Sequence, residues 1–272
     1  MASLTDVSSP FADDLALALR IADAADAVAM APFDSADLTI DQKADSTFVT
    51  DADIATERAI REVLAAERPT DGILGEEFGT EGTGSRQWII DPIDGTHNYM
   101  RGLPMWGILI ALAVDGVPQV GVVSQPALGR RWWAATGAGA WTNVPGAEPR
   151  QIHVSHVAEL EKSSISFQSI QQWDEVGELD TLIRLTRAVW RDRGYGDVWP
   201  YMQLAEGRLE FVAEFGVEPY DIAAVVPIVT EAGGRMTAYN GEASITQHSA
   251  LATNGWLHDT YLAFLHNESP SA

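Results

Sequence analysis

The pattern of apolar and polar positions changes character along the chain. After Pro10, the residues Leu17, Ile21, Ala24 and Val28 recur at helical spacing on one face of an alanine-rich segment that runs to the Pro32 region. A second helix is expected to begin near Asp51 to Asp53, where acids complement the positive helix start. It should end before Pro69, with Ile60, Val63 and Leu64 facing the core. From Trp88 to Trp141 the signal becomes that of strands, with apolar runs before Asp91, from Gly107 to Val114 and from Val117 to Val123. Asp115-Gly116 between two such runs predicts a hairpin, and Trp132 to Ala135 with Ala140 to Thr142 predicts another around Gly137 and Gly139. The first half therefore reads as helices followed by an antiparallel sheet.

A loop rich in Pro, Gly and Asn at 143–150 marks a boundary between a unit of residues 1–148 and a unit of residues 149–272. Beyond it, short strands (Ser163 to Phe167, Val189 to Arg193, Glu210 to Glu214, Arg235 to Ala238) alternate with helices at Leu179 to Arg187, Val198 to Glu206 and Asp221 to Ala232. The last helix has an acid at its start and Gly233-Gly234 at its end, with Pro227 predicting a kink. The final few residues read as disordered.

A length of 272 residues suffices for a substantial core. The net charge of −22 argues against binding nucleic acid or an anionic membrane through a broad basic face, so an anionic substrate has to be captured locally. Cations held by clustered carboxylates would do this. The absence of cysteine excludes disulfides, thiolate catalysis and Cys-ligated metals. The first residues, MASLTDVSSPFADD, lack the positive start and apolar core of a signal peptide, so a cytoplasmic protein is expected. The longest uncharged apolar stretch, 102–114, is too short to span a bilayer.

The chemistry concentrates at Asp91-Pro92-Ile93-Asp94-Gly95-Thr96, which follows the apolar run Trp88 to Ile90 and so sits at a strand end. Gly75-Glu76-Glu77 lies upstream and Asp221 far downstream. Isolated acidic pairs are usually solvated loop residues. If the fold gathers Glu76, Asp91, Asp94 and Asp221, their oxygens, with the Ile93 carbonyl as a neutral donor, suit magnesium beside a phosphate.

These segments, with Glu218-Pro219-Tyr220-Asp221-Ile222-Ala223-Ala224 and Glu231-Ala232-Gly233-Gly234, resemble the inositol monophosphatase family, as do Lys43 and Val49-Thr50-Asp51-Ala52-Asp53. The resemblance implies a layered α/β/α/β/α sandwich of the α/β class, with an antiparallel-sheet half and a mixed-sheet half. It also implies a phosphomonoesterase that uses two or three Mg2+ ions, with Mn2+ as a substitute, to activate water, and that is often a homodimer. By position, Glu76, Asp91, Ile93, Asp94 and Asp221 match metal ligands. Thr96 and Asp53 match the pair that positions or activates water, with Glu77 in support. Gly95 and Thr96 match the turn that holds phosphate.

Substrate-contacting positions of the family fall on Arg193, Gly196, Asp197 and Glu214 as well as on the metal loop. Arg130-Arg131-Trp132-Trp133-Ala134 and Tyr195-Gly196-Asp197 look most similar to the histidinol-phosphate phosphatases of this superfamily. An acid at Asp197, where inositol phosphatases usually carry Ser or Thr, suits a leaving alcohol bearing an ammonium or imidazolium. The alternative is that Asp197 merely caps the following helix. Rival functions are an inositol-1-monophosphatase or broad sugar-phosphate phosphatase with the same site, and a catalytically silent metal-binding regulatory protein.

Overall fold

The computed structural model describes residues 9–35, 38–42 and 48–266. Lys43, residues 1–8 of the N-terminal segment and the final residues 267–272 lie outside the described residues.

The two expected helices are present as α1 (Ala12–Met30) and α2 (Asp51–Glu67), with the short antiparallel pair β1 (Ile40–Gln42) and β2 (Phe48–Thr50) between them. A strand β3 (Gly72–Gly75), its antiparallel neighbour β4 (Gly79–Glu81) and the long β5 (Arg86–Asp94) follow, then one turn of helix α3 (Thr96–Tyr99). Next come β6 (Gly107–Val114), β7 (Val117–Gln125), β8 (Arg130–Ala135), β9 (Ala140–Asn143) and β10 (Arg150–Ile152). Among the described residues these strands form an eight-stranded sheet in the order β10-β9-β8-β7-β6-β5-β3-β4. Both hairpins predicted from glycine turns are there, and Asp115 and Gly116 adopt the left-handed backbone that a two-residue connection requires.

The expectation of a purely antiparallel first sheet needs one correction, because β3 runs parallel to β5. A four-residue strand flanked by glycines carries too little periodicity to be read, yet its direction matters for the site. Pairing Gly75 with Ile90 brings the C-terminal ends of both strands to one edge, where Glu76 and Asp91 begin.

The second half contains β11 (Ser164–Phe167), α4 (Ile170–Glu175), α5 (Leu179–Ala188), β12 (Arg191–Arg193), α6 (Trp199–Ala205) and β13 (Phe211–Phe215). It closes with α7 (Pro219–Ile222), α8 (Val225–Glu231), β14 (Arg235–Thr237), β15 (Ser249–Thr253) and α9 (His258–Leu265). Its mixed five-stranded sheet has the order β12-β11-β13-β15-β14. The expected single helix from Asp221 to Ala232 is two helices, broken at Ala223 and Ala224. Pro227 has no amide to bond back to Ala223 and sits in the first turn of α8, a position where that amide is not needed. The strand expected from Val189 starts only at Arg191.

Strand alternation sorts the core into layers. On β6, Ile108, Ile110 and Leu112 face α1 and α2, while Leu109, Ala111 and Ala113 face α6 and α8. On β13, Val212 joins that same middle layer, whereas Phe211, Ala213 and Phe215 pack with α4, α5 and α9. The result is the helix, sheet, helix, sheet, helix sandwich. No helix among the described residues is long and apolar enough to cross a membrane.

Candidate active site

The carboxylates converge where β5 meets the middle helical layer. The register between β5 and β6 is irregular between Asp91, paired with Leu109, and Asp94, paired with Gly107. In a regular strand, residues three apart face opposite ways; the bulge puts both acids on the side of Leu109, which faces the middle layer. There α7 delivers Asp221, so that one oxygen from each of Asp91, Asp94 and Asp221 lies within 4.8 Å of the others. Asp91 is buried and the other two are half-buried.

Local hydrogen bonds orient each of them. Asp91 Oδ1 accepts from the Ile93 amide at 3.0 Å, Asp94 Oδ2 from the Val198 amide at 2.7 Å, and Asp221 Oδ2 from the Glu218 amide at 2.7 Å. Burial followed by repulsion from Glu76, Asp94 and Asp221 pushes the Asp91 carboxyl well above the ordinary range. Burial and the charges of Asp197 and Asp221 do the same to Asp94, and burial raises Asp221 to about 7. Among the described residues no Arg, Lys or His forms an ion pair with these three acids. A half-buried set of hard oxygen donors with uncompensated charge fits a divalent cation of the magnesium kind. Glu76 lies outside the tight group, but its charge acts on Asp91, Asp221 and Asp53.

Asp53 reaches the site from the first turn of α2. A capping box fixes it: its Oδ2 accepts from the Thr50 amide at 2.9 Å and the Thr50 hydroxyl at 2.5 Å. Fully buried, it is raised to about 6, mainly by desolvation. Thr96 Oγ1 stands 3.4 Å from Asp53 Oδ1 and 3.1 Å from the Ile93 carbonyl, and its one hydroxyl proton serves one acceptor at a time. Gly95 precedes Thr96 with a φ of +85°; a Cβ there would lie 3.1 Å from the Met105 carbonyl and 3.3 Å from the Asp197 carboxyl.

Glu57, which periodicity alone did not single out, holds the Glu76-Glu77 turn. It is fully buried, its Oε2 accepts from the Glu77 amide at 2.7 Å, and its Oε1 accepts from Arg61 Nε at 2.7 Å. Gly75 is glycine because any Cβ would lie 2.0 Å from Glu57 Oε1. The available signal was an acid one helical turn after Asp53 and one before Arg61, on the face that α2 buries.

Of the expected substrate residues, Glu214 on β13 is buried, and its carboxyl faces the buried Tyr201 hydroxyl of α6. Burial, then Asp197 and Asp221, raise the Glu214 carboxyl well above its usual range. Gly196 and Asp197 both have positive φ, and Asp197 stands beside the metal loop. The helix-cap alternative for Asp197 fails, since Val198 is the first cap of α6 and no side chain caps it. Glu77 is half-buried on the turn held by Glu57. Arg193 is exposed at the end of the edge strand β12, and its guanidinium donates to the Asp192 carbonyl rather than to any acid of the cluster.

The model of the inositol monophosphatase family matches residues 12–270. The chain belongs to this family. Within it, the chain is 53% identical to a histidinol-phosphatase of Mycobacterium tuberculosis, covering 93% of this chain and 98% of that one. It is 49% identical to a histidinol-phosphatase of Streptomyces coelicolor, covering 94% and 97%. Among solved structures, an inositol monophosphatase from Anabaena superposes with a TM-score of 0.81 at 30% identity, over 96% of this chain and 98% of the other.

Proposed function

We propose that this phosphatase hydrolyses L-histidinol phosphate to L-histidinol and inorganic phosphate. The observation that carries the substrate assignment is the second acidic group, Asp197 with buried Glu214, set beyond the three clustered aspartates. A site that already has to hold phosphate gains nothing from further negative charge unless the leaving alcohol is cationic, and histidinol carries an amine and an imidazole. Identity of about half the chain to two histidinol-phosphatases supports the same reading.

Glu76, Asp91, the Ile93 carbonyl, Asp94 and Asp221 would hold two or three Mg2+ ions, with Mn2+ as a substitute, which when bound offset the charge of the phosphoryl group and make water a better nucleophile. The amides of Gly95 and Thr96 orient the phosphoryl oxygens at the turn. Thr96 Oγ1 takes a proton from the attacking water as it passes its own to Asp53, whose raised affinity for protons suits a relay near neutral pH. Glu77 supports this relay, while Asp197 and Glu214 bind the cationic alcohol. Arg193 falls in sequence between the exposed Trp190 and Tyr195, and the working assembly proposed, by resemblance to the family, is a cytoplasmic homodimer.

The test is phosphate release from L-histidinol phosphate and from inositol 1-phosphate, side by side, with magnesium and after chelation. Magnesium-dependent preference for histidinol phosphate is expected. Preference for inositol phosphate would overturn the substrate assignment, and no release from any monoester would favour a metal-binding protein without catalysis.

A further inference from the structure

Asp197 adopts the left-handed backbone, which Asp visits more readily than most residues other than glycine. Its φ is +53°, following Gly196 at +77°. In a loop such a backbone still needs bonds to hold it in one place. Four hydrogen bonds do so here. The Tyr195 amide donates to Ser166 Oγ at 3.3 Å, and the Asp197 amide to Gln168 Oε1 at 2.7 Å. The Val198 amide donates to Asp94 Oδ2 at 2.7 Å, and Asn98 Nδ2 to Asp197 Oδ2 at 2.8 Å.

The partners come from opposite sides of the molecule. Asn98 belongs to α3, directly after the Asp94-Gly95-Thr96 loop, and the same Nδ2 donates to the Met105 carbonyl at 2.7 Å, which fixes the amide's orientation. Gln168 follows β11 of the second sheet, and Gly196 lets it approach, since a Cβ there would lie 3.2 Å from Gln168 Oε1. Asp197 thus has its amide held by the Gln168 side chain from one sheet and its Oδ2 held by Asn98 from the other half, and the Gln168 side chain and His97 also act on its carboxylate.

We infer that Asn98 and Gln168 are positioning residues that fix the Asp197 carboxylate at a set distance from the metal loop, and so select monoesters whose leaving alcohol carries a cation. The inference rests on the cationic-substrate reading above. Asn98 makes the coupling directional: it joins the recognition carboxylate to the loop that carries Asp94 and Thr96, so the spacing between phosphate and cation is set by one side-chain amide. Neither residue touches the reacting atoms.

The experiment compares the ratio of kcat/KM for L-histidinol phosphate to kcat/KM for the uncharged-alcohol ester glycerol 2-phosphate. The variants are Gln168→Leu, Gln168→Glu, Asn98→Leu, Asp197→Ala and the double variant Gln168→Leu/Asp197→Ala. Gln168→Leu should lower the ratio about tenfold, mostly through KM for histidinol phosphate, as loss of one oriented hydrogen bond implies. Gln168→Glu, which keeps the acceptor for the Asp197 amide but loses the donor to its carboxylate, should recover only part of the ratio lost in Gln168→Leu. The double variant should be no worse than Asp197→Ala, because Gln168 acts only through Asp197. Should Asn98→Leu fail to fold, the Gln168 series decides alone. An unchanged ratio in Gln168→Leu, or a double variant whose losses multiply, would overturn the positioning role while leaving the substrate reading intact. A parent enzyme with no preference for histidinol phosphate would remove the substrate reading and this inference together.

Discussion

Two acidic centres in this molecule, one around Glu206 and one around the three aspartates, are built in opposite ways. Glu206, with no exposed side-chain surface, is surrounded by Arg130 at 2.5 Å, Arg208 at 3.0 Å, Arg150 and the Trp132 indole N–H at 2.9 Å. Asp91, Asp94 and Asp221 meet one another and backbone amides, with no basic side chain paired to them among the described residues. Burying a charge is tolerable only when something opposite in sign accompanies it. The first cluster brings its own cations and is structural. The second leaves that role to a ligand, and this separates a site from a surface in a chain of net charge −22.

The comparison breaks most visibly at Asp94. Replacing it with Asn should lower kcat/KM by roughly 10³-fold, because both the metal group and the Val198 anchor depend on it. The same change should raise the melting temperature of the metal-free protein, since it removes one of several repelling charges. Steady-state kinetics with a thermal melt after chelation checks both. Near-normal turnover would contradict the site.

The opposite pattern is expected at Glu206. Glu206→Ala leaves Arg130 partly buried without its carboxylate and should cost about 3–5 kcal/mol in denaturant unfolding, with turnover per folded molecule little changed. A stable but inactive variant would show that this cluster, too, serves the chemistry.

Glu57 tests how far the metal cluster depends on its support. Glu57→Gln keeps the size but gives up one of the two acceptors that hold Arg61 and the Glu77 amide. Magnesium affinity should fall about tenfold, as for other residues that orient metal ligands, and calorimetric titration reads it directly.

How legible each cluster was in the sequence follows from how local it is. The Asp91-to-Thr96 loop, the Asp115-Gly116 hairpin and the Asp51 helix start are set by residues within a few positions of one another, so their patterns survive in one dimension. The parallel β3 and the roles of Glu57, Asn98 and Gln168 depend on partners 15 to 99 residues away. The helix-cap alternative for Asp197 arises because Asp before a helix is often a cap; the tertiary bonds to Gln168 and Asn98 override that preference.

The smallest expected effect is on pH dependence. Burial raises Asp53 to about 6 and Asp221 to about 7 from a reference of 3.8, so the folded metal-free chain binds protons that the unfolded chain has released. Their stabilising contribution is present below the unfolded value and is lost as pH rises through 6 and 7. His258, buried between Thr237 and Thr253 and lowered to about 4, acts in the other direction. Its contribution is present above 6.5 and lost as pH falls through 4. The melting-temperature gain on adding magnesium cancels the His258 contribution, and it should be larger at about pH 7.5 than at about pH 5.

The central claim, that the uncompensated cluster is completed by a divalent cation, is tested most directly by calorimetric titration of magnesium into chelator-stripped protein near neutral pH. The parent chain should bind magnesium saturably, Glu206→Gln should bind it equally well, and Asp94→Asn should bind it at least about tenfold more weakly. Equal binding by all three, or none by the parent, would contradict the account.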